Sequence, residues 1–340
     1  MTLPERLLHE TTPAALDALS GLCAPSMTRV NEVIRERMAS DVPLIPELAG
    51  HLIAAGGKRM RPLLCVAGAL ACSDSQMAPD EACKLAAAVE FIHSATLLHD
   101  DVIDKSDKRR GRDTANAVWG NEASVLVGDF LFARAFELMV ETDDLAVLGM
   151  LASASARITE GEVKQMTMVG QPDAPLADYL SVITNKTAIL FAAAAEAGAR
   201  VGGGDQAVCD ALHHYGLHLG MAFQICDDAL DYDADPAAMG KNAGDDFHEG
   251  KITLPVILAW AGAEPSEQAF WQRTLGDGDI QDGDLDEARA LLARHDAVPR
   301  ALSFAREEIT KAIATLDILA DGPMKDALTG AALFAGKRAY

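Results

Sequence analysis

Basic and aromatic residues are scarce in this sequence of 340 residues. Lysine and arginine together number 29 against 51 aspartate and glutamate residues, which leaves a formal net charge of −22. A field of this sign repels nucleic acid and anionic lipid, so we expect no nucleic-acid partner. Any anionic ligand must instead be held by a local cationic cluster or through metal ions. Aromatic residues make up 5% of the chain, but hydrophobic residues reach 49%, which is enough for a large core.

Long apolar runs and paired cysteines are also missing. No uncharged apolar stretch approaches the ~20 residues that cross a bilayer. The N-terminal residues mix charged side chains among apolar ones, unlike a secretory signal. The six cysteines contain no C-x-x-C pair, and most lie in surroundings rich in alanine and leucine. We therefore expect no transmembrane segment, a cytoplasmic location and buried, reduced thiols.

Apolar residues recur at helical spacing along nearly the whole chain. This pattern predicts an all-α protein with helices near residues 27–40, 60–72, 79–103, 121–140, 144–168, 205–233 and 298–319. No Gly/Ser linker or fixed-period repeat divides the chain, so residues 1–340 are predicted to form a single domain. We expect a large bundle of mostly antiparallel helices around a central cavity. The stretch at residues 276–286 is interpreted as a solvated acidic loop.

Two acidic motifs with the same D-D-x-x-D spacing lie far apart in the chain. The first is Asp100-Asp101-Val102-Ile103-Asp104, and the second is Asp227-Asp228-Ala229-Leu230-Asp231. At about 100° per residue, the first and last aspartates of a motif share one helix face. Alone, the first motif could be a solvated helix end, but two copies facing each other would converge on a cavity. Mg²⁺ suits such a cavity, because it takes one or two carboxylates, retains waters and binds substrate phosphate oxygens.

Cationic residues are concentrated in two short stretches. Lys58, Arg59 and Arg61 follow a pair of glycines, and five more basic residues lie at positions 105–112, so eight of the 29 are clustered. Arginine and lysine beside carboxylates are typical of a site that grips a diphosphate next to Mg²⁺. His93 lies seven residues before Asp100, so it shares that helix face and is either a ligand contact or a core residue. No Ser/His/Asp or Cys/His set indicates nucleophilic catalysis.

These residues, taken in order, resemble the trans-polyprenyl diphosphate synthases. The resemblance rests on Gly56-Gly57-Lys58-Arg59-Met60-Arg61-Pro62, residues 93–104, Arg109-Arg110-Gly111, Lys186-Thr187, residues 223–231, Gly240-Lys241-Asn242, Gly244-Asp245-Asp246 and Gly250-Lys251. Residues 90–101 and 123–130 most resemble the octaprenyl and longer-chain members, which make quinone side chains. The match spans most of the chain.

The resemblance implies a role for each site residue. Asp100, Asp104 and Asp227 would bind two or three Mg²⁺ ions, and Asp101, Asp228 and Asp231 complete the two catalytic motifs. Contacts to the allylic diphosphate are implied for Arg109, Lys186 and Lys241, with Thr187 beside them and Gln224 near the allylic end. Contacts to isopentenyl diphosphate are implied for Lys58, Arg61, His93 and Arg110. The family's basic C-terminus corresponds only weakly to Lys337 and Arg338, and a homodimer is expected.

Product length is implied by the residues just before the first motif. In the family, a bulky fifth residue before the first aspartate blocks the growing chain, and here that position is Ala95 with Thr96 beside it. Both are small, so the resemblance implies a product of C40 or longer. Helical geometry places Thr96 about 40° and Ala95 about 140° from Asp100. Phe130, Leu131 and Phe136 are three candidates for the residue that forms the floor of the cavity, and each could equally be a core residue.

Two other functions are compatible with parts of the pattern. A class I terpene cyclase shares the first motif, but would carry an Asn/Ser/Glu metal motif in place of the second. A non-catalytic subunit of a heteromeric synthase usually loses aspartates, and both motifs are intact here. The preferred hypothesis is a prenyltransferase that adds isopentenyl diphosphate head-to-tail to an allylic diphosphate, with the released diphosphate as the base.

Overall fold

The computed structural model describes residues 14–54, 59–109, 111–233 and 244–337, and these are almost entirely helical. The helices are α1 (Ala14–Met38), α2 (Leu44–Ala54), α3 (Met60–Ala71), α4 (Asp80–Ile103), α5 (Ala115–Trp119), α6 (Asn121–Val140), α7 (Leu145–Met168), α8 (Leu176–Ile183), α9 (Ile189–Val201), α10 (Gln206–Asp233), α11 (Asp245–His248), α12 (Leu254–Trp260), α13 (Pro265–Trp271), α14 (Asp284–Arg294), α15 (Ala297–Thr315) and α16 (Pro323–Lys337). Two π-helical turns, Thr184–Ala188 and Gln272–Gly276, continue α8 and α13.

The all-α prediction is confirmed, and the seven predicted helices correspond to α1, α3, α4, α6, α7, α10 and α15. A short antiparallel pair, β1 (Lys108–Arg109) and β2 (Arg112–Asp113), replaces the break expected after the first acidic motif. The expected acidic loop is only partly a loop. Asp284 is the first residue of α14 and is 9% exposed. Its carboxylate accepts hydrogen bonds from two N–H groups of Arg273 at 2.7 and 2.9 Å. This bidentate pair explains why an acidic segment folds back onto the protein.

Helix α9 lies at the centre of the bundle, in contact with α3, α4, α7 and α10. Its sequence is rich in alanine, and ten of its residues are buried. A Cβ on Gly198 would come within 1.8 Å of the Cys65 carbonyl oxygen on α3, and one on Gly216 of α10 within 2.4 Å of the Phe191 carbonyl oxygen. Small residues therefore let the backbones approach closely, which brings α4 and α10, with their acidic motifs, to the same central helix.

Five of the six cysteines are buried, and all six are free thiols. Among the helices of the described ranges, none is both long and apolar enough to span a bilayer.

Candidate active site

The first acidic motif lies at the C-terminal end of α4. Asp100 and Asp104 are half-buried on one side, and the Asp104 amide closes the helix by donating to the Asp100 carbonyl at 2.8 Å. Asp101 is only 1% exposed and accepts hydrogen bonds from Arg109 Nε and Nη2 at 2.9 and 2.7 Å. The motif thus divides into two half-buried carboxylates and one buried carboxylate that holds Arg109 and the β-hairpin in place.

The lysine predicted to contact the diphosphate lies in the π-helical turn between α8 and α9. Lys186 Nζ donates to Gln165 Oε1 of α7 at 2.6 Å and pairs with Glu162 on the same helix. Its positive charge also acts on Asp100. Single π-helical turns often mark functional sites, because the extra residue shifts side chains out of the regular helical positions. Here the turn directs Lys186 and Thr187 toward the two neighbouring motifs.

The second acidic motif lies on α10 and is joined to this turn by hydrogen bonds. Thr187 Oγ1 donates to Gln224 Oε1 at 2.8 Å, and Gln224 Nε2 donates to Asp228 Oδ1 at 2.7 Å. The hydroxyl of Tyr179 on α8 donates to the other carboxylate oxygen of Asp228 at 2.6 Å. Asp228 is 5% exposed. It is therefore a buried hydrogen-bond acceptor, whereas its neighbour Asp227 is half-buried.

Lys251 connects the two motifs. Its Nζ lies 3.3 Å from Asp104 Oδ2 at the end of the first motif and also pairs with Glu249. On the other side it interacts with Asp246 and Asp228. The backbone amide of Asp246 donates to Asp231 Oδ2 at 3.0 Å, which fixes this segment to the second motif. The two acidic motifs therefore face a shared region that contains Lys186 and Lys251.

Burial, together with the neighbouring charges, shifts several pKa values in this region. Burial raises the pKa of Asp100 to about 7, with Glu162 and Asp104 adding to the rise while Lys186 opposes it. Burial likewise raises the pKa of Asp228 to about 6, against the hydrogen bonds from Tyr179 and Gln224. For Lys251, burial lowers the pKa, but the surrounding carboxylates outweigh burial and the net pKa is raised. Lys251 therefore stays charged among the carboxylates.

The donor set fits Mg²⁺ bound together with a substrate. Within the described ranges, no group of three Asp, Glu, His or Cys side chains lies close enough to hold an ion alone. The half-buried carboxylates of Asp100, Asp104 and Asp227 are the donors that fit Mg²⁺, which usually takes one or two carboxylates and completes its octahedron with waters and phosphate oxygens. These carboxylates, of which Asp100 has a raised pKa, are hard oxygen donors, and a divalent ion would stabilise their charged form.

Two of the four residues predicted to contact isopentenyl diphosphate lie within the described part of the chain. Arg61 is half-buried on α3, with its guanidinium carbon 4.4 Å from the ring centroid of Phe191 on α9. His93 is half-buried on α4, two turns before Asp100. Lys58, Arg110, Lys241 and Arg338 lie outside the described residues, and so does the glycine pair at residues 56–57. The side chain of Lys337 is likewise outside the description.

The residues predicted to set product length lie inside α4. Ala95 is fully buried, and Thr96 is half-buried with its hydroxyl donating to the His93 carbonyl at 2.8 Å. Of the residues considered for the cavity floor, Leu131 is fully buried and Phe130 is half-buried. Phe136 is 41% exposed on the outside of α6, so its side chain does not belong to the interior.

Sequence reasoning missed five residues that hold this site together. They are Glu162, Gln165, Tyr179, Asp246 and Lys251. Asp246 and Lys251 lie within segments that carry the resemblance, but the resemblance assigns no role to either residue. The other three carry no local signal, because each acts on a residue of a different helix or turn.

Comparison with known proteins identifies the family. Residues 42–292 match the family model described as polyprenyl synthetase. The chain is 42% identical over 326 residues to an octaprenyl diphosphate synthase of Haemophilus influenzae, covering 96% of this chain and 98% of that one.

Two solved structures agree with this assignment. A polyprenyl synthase of Caulobacter crescentus, complexed with calcium and isoprenyl diphosphate, is 51% identical with a TM-score of 0.90, covering 94% of this chain and 97% of that one. A decaprenyl diphosphate synthase of Rhodobacter capsulatus is 48% identical with a TM-score of 0.91, covering 96% and 99%. The chain therefore belongs to the polyprenyl synthetase family, and it is a prenyltransferase of the polyprenyl diphosphate synthase type.

Proposed function

We propose that this enzyme uses Mg²⁺ to condense isopentenyl diphosphate head-to-tail with an allylic diphosphate and makes an all-trans chain of C40 or longer for a quinone side chain. The observation that carries the proposal is the shared region between the two acidic motifs. Lys186 reaches it from the π-helical turn, and Lys251 reaches it beside Asp104. Two lysines and several half-buried carboxylates can together hold a diphosphate that arrives with divalent ions.

The residues of the chain act mainly by electrostatics. Lys186 and Lys251 bind the departing diphosphate and stabilise the charge that develops as the allylic C–O bond breaks. Asp100, Asp104 and Asp227 would hold the Mg²⁺ ions, which, when bound, supply Lewis-acid stabilisation of the same charge. The double bond of isopentenyl diphosphate then attacks the allylic carbon, and a proton passes to the released diphosphate. Gln224 and Thr187 share a hydrogen bond between α10 and the π-helical turn, and in this proposal they adjoin the reacting end.

Incubation of the purified protein with isopentenyl diphosphate, an allylic starter and Mg²⁺ tests the proposal. Linear prenyl diphosphates of C40 or longer are expected. A cyclic hydrocarbon would instead identify a terpene cyclase, and activity only after addition of a second protein would identify a subunit of a heteromeric synthase. Omission of Mg²⁺ with a chelator is the control, since turnover without divalent ions would contradict the metal assignment.

We assign the control of product length to Ala95 and Thr96. Ala95 is fully buried on α4, so a larger side chain there projects into the interior. Ala95→Leu is expected to shorten the main product. Ala305→Leu enlarges an equally buried alanine on α15 and is the control, since it should alter stability without altering length. Unchanged product length in Ala95→Leu would remove Ala95 from this role.

We propose that the chain forms a homodimer through the outer face of α6 and α7. On α6, Leu126, Phe136 and Val140 are 66%, 41% and 61% exposed, and at about 100° per residue they lie within about 80° of one another on the helix. On α7, Gly149 and Ala156 are exposed and small. Bulky residues of one copy can therefore pack against small residues of a second copy across a twofold axis.

Analytical ultracentrifugation tests this assembly. The wild type is expected to sediment as a dimer and Leu126→Glu as a monomer. Val42→Glu, at a residue 55% exposed outside α6 and α7, is the control and should remain dimeric. A dimer that survives Leu126→Glu, or a monomeric wild type, would contradict the assignment. The buried thiols fit a reducing compartment, so we place the enzyme in the cytoplasm.

A further inference from the structure

A chain of three hydrogen bonds links α8 and its π-helical turn to α10. It runs from Tyr179 to Asp228, from Gln224 to the same carboxylate, and from Thr187 to Gln224, over distances of 2.6, 2.7 and 2.8 Å. Tyr179, Asp228 and Thr187 are 3%, 5% and 7% exposed. Buried hydrogen bonds to a charged group are strong and directional, so this chain is a rigid part of the site.

The direction of each bond follows from the chemistry of its members. Both oxygens of Asp228 accept, one from the Tyr179 hydroxyl and one from the Gln224 amide. Gln224 Nε2 donates to Asp228 Oδ1 and Gln224 Oε1 accepts from Thr187, so the nitrogen of the Gln224 side chain faces Asp228. Its carbonyl oxygen must then face the opposite way, toward Thr187 and the turn that carries Lys186.

We propose that Tyr179 and Asp228 are positioning residues that fix the amide orientation of Gln224, so that its carbonyl dipole is directed toward the reacting allylic end. This inference rests on the proposed function and deepens it, because Gln224 is the group that adjoins the allylic carbon. An oriented dipole stabilises the developing positive charge without reorganising during the reaction. Asp228, although part of the second acidic motif, acts in this way through hydrogen bonds and not as a metal ligand.

The amide orientation can be measured without substrate. In a spectrum of side-chain amides from ¹⁵N-glutamine-labelled protein, the Gln224 signal is the one lost in Gln224→Ala. Tyr179→Phe is expected to move that signal, and Tyr215→Phe is expected to leave it in place. Tyr215 is the matched control, since it is also fully buried and its hydroxyl donates to the Leu328 carbonyl at 2.7 Å on the far side of α10. If the Gln224 signal keeps its chemical shift in Tyr179→Phe, the proposal is wrong, whatever reaction the enzyme performs.

A double-mutant cycle tests the consequence for catalysis. Tyr179→Phe is expected to lower the single-turnover rate of one condensation roughly 10-fold to 100-fold, with KM for the allylic substrate changed by less than about twofold. In the Gln224→Ala background the same change should have almost no further effect, because no amide remains to be oriented. Tyr215→Phe should leave the rate unchanged.

An equal loss of rate from Tyr179→Phe in both backgrounds would show that Tyr179 acts on the fold alone, and the proposal would fail. Should Tyr179→Phe not fold, Asp228→Asn enters the same cycle with the same expectations, since an asparagine no longer dictates which way the Gln224 amide points. A wild-type protein that makes no prenyl diphosphate would contradict the proposed function, while the amide spectrum would still decide the orientation.

Discussion

Lys251 Nζ lies 3.3 Å from Asp104 Oδ2, across 147 residues of sequence. The contact joins the segment after α11 to the end of α4, and on its other side Lys251 interacts with Asp246 next to the second acidic motif. One ammonium group thus lies between two sets of carboxylates that would otherwise repel each other. The same group is in position to bind a diphosphate held by both sets.

Replacement of this lysine by a neutral side chain of similar length should impair both stability and turnover. Lys251→Met leaves the carboxylates of Asp104, Asp246 and Glu249 without their shared cation, and it removes a contact to the leaving diphosphate. We expect a loss of about 2–3 kcal/mol in the free energy of unfolding and at least about a 10-fold loss of single-turnover rate.

Lys311→Met is the control for Lys251. Lys311 is 54% exposed and pairs with Glu308 at 2.6 Å, far along the chain from either acidic motif. The free energy of unfolding of Lys311→Met should lie within about 1 kcal/mol of the wild-type value, and the variant should keep full activity. Equal rates for Lys251→Met and Lys311→Met would exclude Lys251 from diphosphate binding.

Asp100 should make stability depend on pH in the absence of divalent ions. Burial raises its pKa from the usual 3.8 to about 7. Below pH 3.8 both the folded and the unfolded protein carry the proton. Between pH 3.8 and 7 only the folded protein does, so this group's contribution to stability falls as pH rises, and above pH 7 the loss is complete. Asp100→Asn removes the effect, so the variant should be more stable than the wild type at pH 8 by up to about 4 kcal/mol.

Urea unfolding of wild type and Asp100→Asn at pH 4 and pH 8 checks this sign. The same variant should lose at least about 100-fold in turnover with Mg²⁺, since one metal-binding carboxylate is gone. It should also gain less stability than the wild type when Mg²⁺ and inorganic diphosphate are added together. An equal gain would show that Asp100 does not bind the metal.

The close contact between α3 and α9 should make stability depend strongly on Gly198. A Cβ on Gly198 would overlap the Cys65 carbonyl oxygen at 1.8 Å, and backbone cannot move aside as a flexible side chain can. Gly198→Ala is therefore expected to cost at least about 3 kcal/mol in the free energy of unfolding. Gly21→Ala, on α1 with no atom within 4 Å of the new Cβ, should instead stabilise by about 1 kcal/mol. Similar melting temperatures for the two variants would refute the close contact.

Glu267 should contribute to the free energy of unfolding only at pH values where its carboxylate is ionised. Hydrogen bonds from the Glu264 backbone, His295 and Arg294 lower its pKa from the usual 4.5 to about 2. For a lowered pKa, the contribution is complete above pH 4.5 and disappears as pH falls toward 2. Glu267→Gln should thus be less stable than the wild type at pH 6, with the difference shrinking by pH 3. Urea unfolding of both proteins at pH 6 and pH 3 measures this difference, and an equal difference at the two pH values would contradict the lowered pKa of Glu267.

Local patterns were sufficient to predict the long helices and the two acidic motifs. The apolar spacing of α4 and α10 is visible within each segment, and so is the one-turn separation of Asp100 and Asp104. The π-helical turn at Lys186 was not predictable, because its extra residue depends on packing against α7 and α10. The short β-hairpin around Arg109 was missed for a similar reason, since Asp101, and not a strand pattern, holds it in place.

The amino-acid sequence by itself determined the helical class, the residues of both acidic motifs and the family to which the chain belongs, since these depend on spacing and residue type. Only the tertiary structure decided that Asp228 turns inward to Tyr179 and that Lys251 reaches Asp104. Helical periodicity tells which residues share a face of one helix. Which face meets which neighbour is decided by close packing around α9, where small side chains let the helices approach.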